Sequence, residues 1–155
     1  WEREEAEPYV IEKGDFLLSR GNGSRHLVGR GGVVPNHAFD VAFPDTMMKL
    51  SFEPEFVDPI FFAFVWGSPH VRRQIESTAK TTSGIYKINQ DDVGSVRIPL
   101  PGTAEQSRIV SYLEKTLSRL QIVSGRVDKS FSDLSQLRNT LLNDELVTET
   151  AHLPA

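Results

Sequence analysis

One stretch constrains this chain more than any other: residues 102–153 contain no proline and carry apolar side chains at helical spacing. Ile109, Leu113, Leu117, Leu120, Val123, Val127, Phe131, Leu134, Leu137 and Leu141 follow one another at intervals of three or four residues. Their mean, about 3.6, is the period at which side chains return to one face of an α-helix. Thr103-Ala104-Glu105-Gln106 is a capping-box pattern, in which a hydroxyl accepts from the N3 amide while Gln106 reaches back. Only Gly125 weakens the run, by about 1 kcal/mol relative to alanine. A helix over residues 103–145 would be roughly 64 Å long at 1.5 Å per residue. One apolar stripe on so long a helix needs a partner along its length, because an isolated helix gains little in water. The polar Thr116, Ser124 and Arg138 are expected to flank that seam. A coiled-coil-type helix is therefore expected over 102–146, followed by a flexible tail over 147–155.

Upstream the periodicity is different. Tyr9-Val10-Ile11 and Phe16-Leu17-Leu18 are short apolar runs parted by the turn signal Glu12-Lys13-Gly14-Asp15. Five glycines between Gly21 and Gly32 mark a loop-rich stretch, after which Val33-Val34 and Met47 to Phe52 resume strand-like composition. Ile85 to Ile88 and Val93 to Ile98 are further strand candidates, closed by Pro99 and Pro101, which cannot donate to a ladder. Val57 to Trp66 reads as a buried segment whose type periodicity does not decide. The expectation is an α+β chain: a strand-rich domain over 1–101 and then one long helix.

The 155 residues suffice for one domain with a real core. No apolar run approaches the roughly 18 residues of a membrane span. The chain opens on Trp1-Glu2-Arg3-Glu4-Glu5, without initiator Met or signal-peptide pattern, and is expected to be a piece of a longer protein. With no cysteine, disulfides, cysteine metal sites and a thiol nucleophile are excluded, which fits a reducing cytoplasm. The net charge of −4 hides a division along the chain. Residues 1–12 carry five acids against Arg3, and residues 127–155 five acids against Lys129 and Arg138. The middle, 13–126, has 14 basic and 11 acidic residues, so the positive charge is internal and permits contact with a polyanion.

Catalytic signals are scarce. His26, His37, His70 and His152 show no metal-ligand spacing and read as surface or loop histidines. There is no Asn-Pro-Pro-Tyr-type methyltransferase motif, no nucleophile-elbow serine, and Pro44-Asp45 lacks the acid-x-Lys half of a nuclease site. Gly21-x-Gly23-x-x runs into His26, which rules out a dinucleotide-binding fingerprint. What remains is polar and basic. Ser19-Arg20-Gly21-Asn22-Gly23-Ser24-Arg25 combines pliant backbone, two guanidiniums and small hydrogen-bonding side chains. Such a loop can approach phosphates closely and pair with guanine or adenine edges, although alone it is also an ordinary solvated turn. Arg72-Arg73, Lys80-Thr81-Thr82-Ser83 and Lys87 form a second such stretch, equally readable as a helix end and loop.

Two motifs stand out together. Lys13-Gly14-Asp15-Phe16-Leu17-Leu18-Ser19-Arg20-Gly21-Asn22-Gly23-Ser24, ending in Leu27-Val28-Gly29-Arg30, resembles the motif that opens many target-recognition domains of type I restriction-modification specificity subunits. Ile98-Pro99-Leu100-Pro101-Gly102-Thr103-Ala104-Glu105-Gln106-Ser107-Arg108-Ile109-Val110 resembles the junction of that domain with its conserved spacer helix. Between them, Thr81 to Ile88 and Val93 to Ile98 match the family's glycine-containing loop and final strands. Gly102-Thr103 departs from the proline and leucine often found there.

The resemblance implies a non-catalytic specificity subunit: a target-recognition domain (1–101) that reads half of a bipartite site on double-stranded DNA, joined to a spacer helix. Ser19, Arg20, Asn22, Ser24, Arg25, Arg72, Arg73, Lys80, Thr81, Thr82, Ser83 and Lys87 are the expected DNA contacts, with Arg20 and Asn22 first for base readout. Ile109, Leu113, Leu117, Leu120, Val127, Phe131, Leu134 and Leu141 are the expected helix-partner face. Modification (methyltransferase) and restriction subunits are the implied partners. No cofactor or metal is expected on this chain itself; S-adenosylmethionine, ATP and Mg belong with those subunits. A homodimer through the helix, a cytoplasmic location and no membrane contact complete the expectation. The recognition segment of a fused type II restriction-methyltransferase and a coiled-coil protein–protein adaptor stay open as alternatives.

Overall fold

The computed structural model describes residues 3–35, 41–82 and 84–150, without the side chains of Arg3, Thr82 and residues 141–150. His37, Ser83 and His152 lie outside the described residues. The chain divides into two compact units, Trp1–Ser111 and Tyr112–Ala155.

Within the first unit, a short helix α1 (Arg3–Ala6) and a 3-10 turn (Glu7–Tyr9) precede β1, Phe16–Ser19. Strand β1 is the centre of an antiparallel sheet in the order β3-β1-β4, with β3 at Gly31–Val33 and β4 at Met47–Leu50. Alternation along β1 buries Phe16 and Leu18 while Leu17 and Ser19 stay half-buried, the period-2 signature of a strand with one core face. Its register puts Phe16 opposite Val33 and Leu50, and Leu18 opposite Gly31 and Met48. Gly31 is required there: a Cβ would overlap the Leu17 carbonyl oxygen and lie 2.7 Å from the Phe16 ring. Ahead of β1, Gly14 turns the chain at φ +89° and the buried Asp15 ties the turn together. Its carboxylate accepts from Glu12 N–H (2.8 Å) and Ser51 Oγ (2.7 Å) and lies 3.5 Å from Lys49 Nζ.

Two helices cover the sheet. Helix α2 spans Pro59–Trp66 and α3 Pro69–Thr78, and both start by the same device. Asp58 Oδ1 accepts from the amides of Ile60 and Phe61, Ser68 Oγ accepts from Val71, and a proline occupies each N1 position. The segment whose type periodicity left open is thus helical. Phe62 stacks on Trp66 (5.3 Å) and meets Phe16 edge-on (5.1 Å). Val71 and Ile75, one turn apart on α3, close the core with Val28, Met48 and Ile88. Each of these buried side chains contributes roughly 1.5–3 kcal/mol.

A second antiparallel sheet, order β2-β6-β5, joins Gly21–Asn22, Ile85–Lys87 and Lys80–Thr82. The strand expected over Val93–Ile98 is not formed: α4, Gln90–Gly94, takes its start, closed by a reciprocal capping box between Asn89 and Asp92. Arg97 then pairs both backbone groups with one side chain. Its carbonyl accepts from Gln74 Nε2 and its N–H donates to Gln74 Oε1, each at 2.9 Å. A single amide from α3 replaces the ladder.

Helix α5 runs Thr103–Thr150, four residues beyond the expected end at 146. Its start differs from the expected capping box. The Gly102 carbonyl accepts from the Glu105 and Gln106 amides, and the fully buried Gln106 side chain points elsewhere. Gln106 Oε1 accepts from Asp58 N–H (2.9 Å), and Nε2 donates to the carbonyls of Phe56 and Pro101 (2.8 Å each). The sequence has α+β architecture, as its patterning implied.

Candidate nucleic-acid interface

Strand pairing in the β2-β6-β5 sheet assembles residues far apart in sequence. Gly21 and Lys80 both face Lys87, one from each side, and Asn22 and Thr81 both face Tyr86. Directly opposed residues project from one face of a sheet, so the exposed Lys80 and Lys87 side chains stand together. Like charges directly opposite destabilise a sheet unless an anion lies between them. Arg20, exposed at the β1–β2 corner, joins them around a cleft of about 590 Å³ that also meets Asp45, Asn89 and Asp92. Asp92 is occupied by its capping box, and Arg20 Nη1 donates to the backbone carbonyl of Asp45 at 3.1 Å. Three cations and two carboxylates, Asp45 and Asp92, therefore line one cleft, with the balance positive.

The remaining expected contacts have different surroundings. Ser19 Oγ donates to the Gly21 carbonyl (2.8 Å), and Asn22 Oδ1 accepts from the Ser24 amide (2.9 Å), a local Asx turn. Asn22 keeps its Nδ2 donors and one Oδ1 lone pair for an outside partner. Arg25 is exposed, with Nε donating to the Glu76 carbonyl at 2.6 Å. Arg73, exposed on α3, donates from Nε to Pro69 O. The Arg72 side chain is only 11% exposed. Its Nη2 donates to the carbonyls of His26 (3.2 Å) and Val28 (2.7 Å) and lies 3.7 Å from Glu76 Oε1. Burial lowers the Arg72 pKa, Glu76 opposes that shift and Arg30 adds to it. Thr82 lies in β5 but its side chain is not described, and Ser83 lies outside the described residues.

Arg30 was not among the expected contacts. It is exposed at the end of the β2–β3 connection, and only its Nε is engaged, on the His26 carbonyl at 3.2 Å. The cue available in sequence was its place closing the first family motif. Among the described residues, no three His, Cys, Asp or Glu side chains come together as a metal site. No helix of the described residues is long and apolar enough to cross a membrane.

On the second unit the expected partner face is laid out along one helix. Leu117, Leu120, Val127, Phe131 and Leu134 are all exposed, Phe131 by 70%. Ile109 and Leu113, nearer the start of α5, are half-buried. The side chain of Leu141 lies outside the described residues.

Residues 1–129 match the family model for the type I restriction modification DNA specificity domain. The chain belongs to that family. This specificity domain is 27% identical over 139 residues to the type I restriction enzyme EcoKI specificity subunit of Escherichia coli (strain K12), covering 86% of the chain and 29% of that relative. It is 23% identical over 138 residues to the StySPI specificity subunit of Salmonella potsdam, covering 89% and 30% respectively. The specificity domain thus spans about 30% of the length of these curated relatives.

Proposed function

We propose that this chain reads one half of a bipartite sequence on double-stranded DNA for a type I restriction-modification enzyme and carries out no reaction itself. The observation that carries the reading is the opposed pair Lys80 and Lys87, with Arg20 lining the same cleft. Lysines act there as phosphate neutralisers, while Arg20 offers donors suited to base edges. Asn22 and Thr81 share the other face of the sheet, where they offer further polar groups. The recognition domain is assigned to residues 1–101 and the spacer helix to 102–146. The exposed stripe of that helix docks a helical partner within the assembly that holds the modification and restriction subunits. S-adenosylmethionine, ATP and Mg serve those subunits.

Counterion release gives a quantitative test. Neutralising a phosphate contributes about −0.9 to the slope of log K against log salt. Fluorescence anisotropy on a mixed-sequence duplex over a salt series is expected to show weak, steeply salt-dependent binding. Lys80→Gln with Lys87→Gln should flatten the slope by about two, one for each contact, with folding unchanged. Tight binding that ignores salt, or an unaltered slope in the double variant, would refute the assignment.

A further inference from the structure

The connection Gly23–Arg30 between β2 and β3 takes its shape from behind. Arg72 Nη2 donates to the carbonyls of His26 and Val28, and the buried Trp66 Nε1 donates to the carbonyl of Gly29 at 2.8 Å. Gly29 N–H donates to Ser19 O, and Ser19 N–H to Arg30 O, each at 2.9 Å. Val28 is fully buried. Gly29 sits at φ +67°, and a Cβ there would lie 2.9 Å from both Ile75 Cγ2 and Ile88 Cδ1. Side chains of α2 and α3 therefore hold this segment at three carbonyls, those of His26, Val28 and Gly29. Its other side is open: Gly23, Arg25, His26, Leu27 and Arg30 are exposed.

Arg72 is an unfavourable cation to leave under a loop. Its Nε and Nη1 are buried without a hydrogen-bond partner among the described residues. Desolvating a guanidinium is costly, and an Arg serving only as a phosphate contact would stand in solvent as Arg73 does. What burial gives Arg72 is two carbonyls of one loop held by one rigid planar group. Arg30 next to it is exposed, and among the described residues it bonds the loop through Nε alone.

We propose that Arg72 is a positioning residue which, with Trp66, holds Gly23–Arg30 as a preshaped DNA-contact finger whose touching group is Arg30. This rests on the DNA-reading function proposed above and adds a contact element to it. Preshaping matters because a loop already in its bound form spends no ordering entropy when it meets the duplex.

Two measurements on the full chain separate positioning from contact. The first is the salt slope on a mixed-sequence duplex: Arg30→Gln should flatten it by about one, and Arg72→Gln should leave it unchanged. The second, without DNA, is amide exchange. Arg72→Gln should speed exchange at Leu27, Gly29 and Arg30 by about tenfold or more, as expected when a charged hydrogen bond is lost. Arg72→Lys keeps the charge but, with a shorter side chain, does not bring a donor to the place of Nη2 between the two carbonyls, so it should also speed exchange, and it carries the test if the glutamine variant does not fold. A slope flattened by Arg72→Gln with loop exchange unchanged would make Arg72 a phosphate contact and overturn the proposal. Unchanged exchange in Arg72→Lys would do the same. Failure of the unaltered chain to bind duplex would instead overturn the DNA-reading function, while the exchange data still report on the clamp.

Discussion

At the scale of single residues, two adjacent glycines show how closely this fold is packed. Gly31 and Gly32 follow each other in β3, yet a Cβ on Gly31 would overlap the Leu17 carbonyl, while on Gly32 it would meet nothing within 4 Å. Gly31→Ala is therefore expected to destabilise the chain by about 1–3 kcal/mol, the cost of overpacking against backbone. Gly32→Ala should fall within about 0.5 kcal/mol of the parent. Urea unfolding with a constant m-value is the check, and equal midpoints for the two variants would contradict the register of β3 on β1. Sequence marked this stretch only as glycine-rich, because the requirement comes from the partner strand. The same holds for Arg72. Its residue type suited a DNA contact, but its burial depends on two carbonyls more than forty residues away. Lys80 and Lys87 were legible as basic residues, and their opposition was not, since it exists only once β5 and β6 pair.

At the scale of elements, capping chemistry was more informative than periodicity. Asp58-Pro59 and Ser68-Pro69 each announce a helix start, and attention to them would have found α3 and settled α2. No comparable signal distinguished Val93–Ile98 from a strand; what decides there is Gln74 reaching from α3 to both backbone groups of Arg97. Gln106 teaches the same lesson. A capping glutamine and a buried tethering glutamine are identical in sequence, and only the proximity of Asp58, Phe56 and Pro101 separates them. Gln106→Leu keeps the side chain's approximate volume while abandoning three hydrogen bonds at a site with no exposure. The expected cost is about 2 kcal/mol or more, because the stranded backbone groups lose partners they cannot fully replace with water. Gln106→Glu should be no better, since two carbonyls would then face a carboxylate. A denaturation midpoint within error of the parent for Gln106→Leu would show that these bonds are not needed.

At the scale of the whole molecule, the stripe on α5 is the largest unmet demand. Leu120, Phe131, Leu134 and Leu137 are each at least 59% exposed, and no other helix of the described residues exceeds ten residues. Contiguous apolar surface of this kind marks an interaction site in a soluble protein. The sequence showed it plainly, because a 3.6-residue period depends on no distant partner. The resemblance to the family's spacer helix makes this stripe the expected helix-partner face. When this chain is alone in solution, the partner at hand is another copy, most simply through a two-fold antiparallel pairing in which the same residues meet on both sides. Each leucine buried in that seam contributes up to about 1.5–3 kcal/mol, against the loss of translational freedom on association. Self-association is therefore expected, and sedimentation equilibrium is the measurement. Leu120→Asp with Leu134→Asp should return the chain to monomer, because a carboxylate in an apolar seam loses its hydration without gaining a partner. Amide exchange protection in β1 should be unchanged in that variant, since both substitutions lie in the unit Tyr112–Ala155. A monomeric parent at tens of micromolar would mean that the stripe does not pair with itself and is kept for a helix of different sequence.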